Sequence, residues 1–97
     1  MKIYHGSTVI VDKPLVSYGR DNLDFGKGFY TTNMQNQAEK WVQRFISLGK
    51  KGIIDKSTSL QRLKFEKPNN QICFINQEVV DSLLQFESSY EAKGALA

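Results

Sequence analysis

Three short segments hold the residues able to do chemistry. Tyr4-His5-Gly6-Ser7 opens the chain, Phe25-Gly26-Lys27-Gly28-Phe29-Tyr30-Thr31-Thr32 comes after a gap, and Asn69-Asn70-Gln71-Ile72-Cys73-Phe74 comes late. His5 offers an imidazole that can donate to or accept from a sugar hydroxyl. Gly6 behind it lets main-chain groups approach a flat carboxamide that a Cβ would obstruct, with the Ser7 hydroxyl beside it. Tyr30 supplies an electron-rich ring for stacking on a cationic aromatic, worth on the order of 0.5 to 2 kcal/mol. Gln71 presents an amide to hydroxyls and brings no negative charge.

Each segment also has a plain structural reading. His5 suits a half-buried histidine at a strand end, next to a turn glycine. Phe29 and Tyr30 point to opposite sides of a strand, and both could be core. The pair Gly26 and Gly28 is too short for a dinucleotide fingerprint and has no helix directly behind it. Asn-rich turns entering strands, as before Gln71, are ordinary.

These residues must be positioned by a single small domain. The 97 residues allow one modest core. With 40% hydrophobic and 24% charged residues, the composition is that of a globular protein and argues against disorder. No apolar run nears the roughly 20 residues that span a bilayer, and the N-terminus lacks a signal-peptide core, so a cytoplasmic protein without membrane contact is expected. Cys73 is the only cysteine and His5 the only histidine. An intrachain disulfide is excluded, and no metal is expected. From Arg44 to Lys67 seven basic residues face two acidic ones. That stretch could attract nucleic acid or a pyrophosphate, or could be the solvated face of two short helices.

The pattern predicts an α+β chain with four strands. Lys2 to His5 reads as a strand stopped by Gly6, Thr8 to Val11 as a second extended piece, and Gly28 to Thr32 and Gln71 to Ile75 as two more. Residues 15 to 27 have loop composition. Met34, Ala38, Trp41, Val42, Phe45 and Ile46 recur as the stripe of an amphipathic helix that Asn33 caps and Gly49 ends. Asp55 is expected to cap a shorter helix carrying Leu60 and Leu63, and Pro68 to Asn70 to form a turn. Asn76 caps a last helix with Val79, Val80, Leu83 and Leu84 on its inner side. The pattern fades beyond Phe86, and residues 91 to 97 are expected to fray.

The first and third segments, together with Leu23 to Thr32 leading into a helix with Gln37, Ala38 and Trp41, resemble a family of small, mostly bacterial and phage-borne proteins of unknown function. We place that family in the ADP-ribosyltransferase clan. The resemblance covers roughly residues 1 to 48 and 53 to 86. It implies a partial ADP-ribosyltransferase-like fold, few antiparallel strands with two or three helices, that binds NAD as its substrate. His5 would hold the adenosine ribose, the Gly6 main chain the nicotinamide amide with Ser7 alongside, and Tyr30 would stack on nicotinamide. Gln71 stands where the best-known members carry a glutamate that steadies the oxocarbenium-like transition state.

The chain departs from the clan pattern in two ways. A neutral Gln71 stabilises a developing cation far less than a carboxylate would, which favours slow mono-transfer to one protein or nucleic-acid acceptor over polymer formation. About 40 residues separate Tyr30 from Gln71, where the clan usually places several strands. The junction at residues 49 to 52 reads as a missing internal block. Two functions stand: an NAD-dependent ADP-ribosyltransferase, or an inactive, shortened member serving as an interaction module. A homodimer or a cognate partner would complete the sheet in either case.

Overall fold

The computed structural model describes residues 1–16, 28–59 and 71–94. The loop expected up to Gly26 and Lys27, the helix carrying Leu60 and Leu63, and the turn at Pro68 to Asn70 lie outside the described residues. So do Arg62, Lys64 and Lys67 of the basic stretch. What is described is α+β, as expected. Strands β1 (Lys2–Ser7), β2 (Phe29–Thr32), β3 (Ile53–Ser59), β4 (Gln71–Phe74) and β5 (Leu84–Glu91) form one antiparallel sheet in the order β4-β2-β1-β3-β5. Helices α1 (Gln35–Ser47) and α2 (Gln77–Leu83) complete the described elements. Neither is long and apolar enough to cross a membrane.

Register fixes which side each residue takes. Ile3, Phe29, Ile72 and Phe74 share one face, where Val80 of α2 and the partly buried Val11 and Val16 pack on them. On the other face Ala38 and Val42 of α1 meet Ile54, with Tyr4 and Tyr90 alongside. Alternation then assigns His5, Thr31 and Asp55 to the α2 face, and Gly6, Tyr30, Thr32, Gln71 and Cys73 to the α1 face.

Helix α1 is set close against the sheet by two glycines. A Cβ on Gly6 would stand 2.7 Å from Val42 Cγ1, and one on Gly52 would stand 2.9 Å from Val42 Cγ2. Valine has little χ1 freedom in a helix, so it cannot swing aside. The helix ends as its sequence predicts. Gly49 adopts φ 79°, its N–H donates to Ile46 O, and the Lys50 N–H donates to Phe45 O. Its start differs: Met34, not Asn33, occupies the N-cap position, and the Met34 N–H donates to Thr32 Oγ1 at 3.1 Å. Asn76 does cap α2, accepting from the Glu78 and Val79 N–H groups.

Three expectations are corrected. β1 runs through Gly6 to Ser7, because β3 pairs along its whole length, whereas Thr8 to Val11 forms no strand. Asp55 caps no helix but sits inside β3, with Ile53, Ile54, Ser57 and Ser59 also buried. Beyond Phe86 the chain continues as β5 to Glu91, paired with β3 from end to end around an irregularity at Lys56/Ser57. The sheet thus has five described strands instead of four, and residues 49 to 52 lead straight into β3.

The double contact of Val42 predicts a coupled pair. Gly6→Ala should cost about 1–3 kcal/mol in urea unfolding. Combined with Val42→Ala, which clears the space, it should cost less than the sum of the two single changes. Simple additivity would refute the contact.

Candidate functional site

The predicted residues do not share one face: His5 lies on the α2 side of the sheet, and Gly6, Tyr30 and Gln71 lie on the α1 side. At the start of β1, Met1 donates to Ser59 O at 3.2 Å and accepts from Ser59 N at 2.8 Å. Because hydrogen-bonded pairs alternate along an antiparallel ladder, Ile3, His5 and Ser7 also direct their main-chain groups at β3. Tyr4 and Gly6 then direct theirs at β2. There the register consists of the one pair Tyr4↔Thr32. Continued by two residues it would set Gly6 opposite Tyr30, a position beyond the registered pair.

His5 takes up the Tyr30 carbonyl, with Nδ1 at 2.8 Å from the oxygen. A carbonyl only accepts, so Nδ1 carries the hydrogen and Nε2 is left as an acceptor. Burial pushes the imidazole below its ordinary value, against the Tyr30 bond, which favours the charged form. His5 is therefore neutral at pH 7. Its ring lies 4.4 Å from that of Phe29, centroid to centroid. The seam between β1 and β2 thus has the Gly6 peptide groups on one side and an imidazole of fixed tautomer at its edge.

The other expected residues are placed less directly. His5 and Tyr30 are joined through a main-chain carbonyl while their side chains take opposite faces. Tyr30 is only 7% exposed, on the α1 face. Gln71, half-buried, lies on that same face, opposite Thr32 and in one cross-strand row with Thr32 and Tyr4. Two strand spacings separate Gln71 from Tyr4, about 10 Å. The Ser7 hydroxyl is engaged locally, donating to Val9 O at 2.6 Å. Gly6 lacks a Cβ for a reason other than the expected one: the space is taken by Val42, not kept open for a ligand. Among the described residues no three of His, Cys, Asp and Glu cluster as metal ligands do.

Sequence reasoning missed Asp55. It is the register partner of His5 and shares its face, and it is 1% exposed. Oδ2 accepts the Val11 N–H at 3.1 Å, while Oδ1 is buried without a partner. Burial raises its pKa to about 6, the Val11 bond opposes this, and the Asp12 charge adds to it. The available signal is a single acid directly behind two β-branched residues in Ile53-Ile54-Asp55, a pattern that suits a strand better than a cap.

With the geometry in place, the comparisons add one match. The model of a family described as "Protein of unknown function (DUF3990)" matches residues 1–53, which carry β1, β2 and α1 and end on the first residue of β3. Comparison with curated proteins and with solved structures gives no significant match.

Asp55 makes a stability prediction whose sign is set by its raised pKa. Folding takes up a proton here, so the group's contribution is fully present below pH 4 and is lost as pH rises through about 6. Asp55→Asn should be more stable than wild type at pH 8 by about 1–3 kcal/mol, with the gap closing near pH 4. Chemical denaturation at the two pH values measures it; a variant less stable at pH 8 would contradict the assignment.

Proposed function

We propose, from the premise that the chain belongs to the family of unknown function matched over residues 1–53, that the β1–β2 seam binds the nicotinamide end of NAD and that the protein is an ADP-ribosyltransferase-like enzyme. The observation that carries this reading lies at Gly6. Gly6 directs an N–H and a C=O toward β2 beyond the registered pair, and such a pair of groups matches the acceptor and donor of a carboxamide. His5 Nε2, an acceptor, suits a ribose hydroxyl. The Tyr30 ring and the Gln71 amide approach from the α1 face, where the ring would bound the nicotinamide and the amide would orient the ribose hydroxyls.

The reaction is displacement at the ribose carbon that bears nicotinamide. The carbon–nitrogen bond breaks and its electron pair returns to the ring, neutralising the pyridinium. A nucleophilic oxygen, nitrogen or sulfur of a protein or nucleic-acid acceptor forms the new bond, and its proton passes to solvent. Gln71 orients without neutralising the developing cation, so turnover is slow and serves one acceptor at a time.

Two measurements test this. NAD should raise the melting temperature of the wild type by several degrees and that of His5→Ala by much less. Free nicotinamide should accumulate with the wild type and not with His5→Ala. No shift and no release with the wild type would remove the reading.

A further inference from the structure

We propose that Asp55 is the acidic residue of the seam and sets its preference for a ligand carrying a positive ring over a neutral one. The inference rests on the seam as the nicotinamide site and adds the charge that Gln71 does not supply.

The geometry is that of a buried charge beside the site. Asp55 pairs with His5 in the hydrogen-bonded register, roughly 5.5 Å between Cα atoms. Gly6 is the next residue, so the β3 backbone runs about one and a half strand spacings, or about 7 Å, from the middle of the seam, with the Asp55 side chain on the α2 face beside His5. One oxygen is held by the Val11 N–H and the other has no partner. Because the group is 1% exposed, solvent ions screen it little. An uncompensated carboxylate of this kind is costly, and a cationic ring at Gly6 is the charge that would offset it.

The titratable groups facing Asp55 are few. Among the described residues β1 contributes His5 and the segment after it Asp12, while β5 sets the uncharged Ser89 opposite and the exposed Glu91 two residues further on the same face. Asp12 is exposed and its charge is screened. His5 would also repel a cation once protonated. The residue is thus an electrostatic selector that acts across His5 and does not touch the ligand.

The test compares NAD, whose nicotinamide ring is cationic, with NADH, whose ring is neutral, by calorimetric titration of the folded protein at pH 8 and pH 5. Wild type should prefer NAD about tenfold at pH 8 and lose most of that preference at pH 5, where Asp55 is protonated. Asp55→Asn, nearly isosteric, should bind both nucleotides alike at both pH values, while Asp12→Asn should keep most of the wild-type preference. A preference that survives in Asp55→Asn, or one that Asp12→Asn abolishes, overturns the inference and leaves the seam as a nicotinamide site. Wild type binding neither nucleotide overturns both.

Discussion

Everything at this site depends on how closely α1 lies on the sheet, a distance set by Val42 together with the Ala38 carbonyl over Gly6 and Ile46 over Gly52. Val42 brings one methyl within 2.7 Å of where a Cβ of Gly6 would be and the other within 2.9 Å of where a Cβ of Gly52 would be. The helix therefore rests on main chain, not on side chains, at the middle of β1 and at the entry to β3. Close helix–strand packing of this kind needs glycine at the contact, and it holds the Gly6 peptide rigidly. The same residue directs its N–H and C=O into the seam. A change at Gly6 acts on packing and on the seam at once, so the seam's chemistry is better probed at His5.

The seam has its own cause. β2 has only four residues, bounded by Gly28 and by the turn into α1, whereas β1 is paired with β3 over its full length. A Cβ on Gly28 would stand 2.5 Å from Cys73 Sγ, so β2 and β4 pack closely there. β2 pairs with β4 over all four of its residues, and its printed register with β1 is the pair Tyr4↔Thr32. The His5 imidazole donates to the Tyr30 carbonyl. The Tyr30 bond fixes the tautomer, while burial lowers the basicity of the ring against it.

How much of the fold is legible in the sequence depends on how local each signal is. The glycine at the end of α1, the asparagine before α2 and the stripe of Ala38, Val42, Phe45 and Ile46 are local, and each is legible. β3 and β5 are not. In β3 the buried set on one face is Ile53, Asp55, Ser57 and Ser59, three of them polar residues that only the neighbouring strands make internal. β5 lies at the edge of the sheet, mixes exposed and half-buried residues, and is interrupted by the irregularity at Lys56/Ser57. β3 lacks the apolar–polar alternation that marks a strand with one solvated face, and in β5 the alternation of Leu84 to Glu87 breaks at the irregularity. For the site, the types and order of His5, Gly6, Tyr30 and Gln71 are legible. Their distribution over two faces is not, because it depends on the register between strands distant in sequence.

Under the proposed reading, the position of the acid matters as much as its presence. A carboxylate on β4, in the place of Gln71, would sit on the α1 face and meet the ribose directly, stabilising charge as the bond breaks. A carboxylate on β3 sits behind β1 on the other face and meets no ligand atom. Its field is nevertheless felt in the seam, because the intervening strand excludes water and mobile ions. Such a charge attracts a cationic ring in the ground state, and the ring loses that charge as nicotinamide leaves. Stabilising the bound substrate more than the departing product deepens binding without lowering the barrier. The arrangement of Asp55 and Gln71 is therefore suited to holding NAD more than to cleaving it. That is the physical reason to expect retention to exceed turnover in this chain.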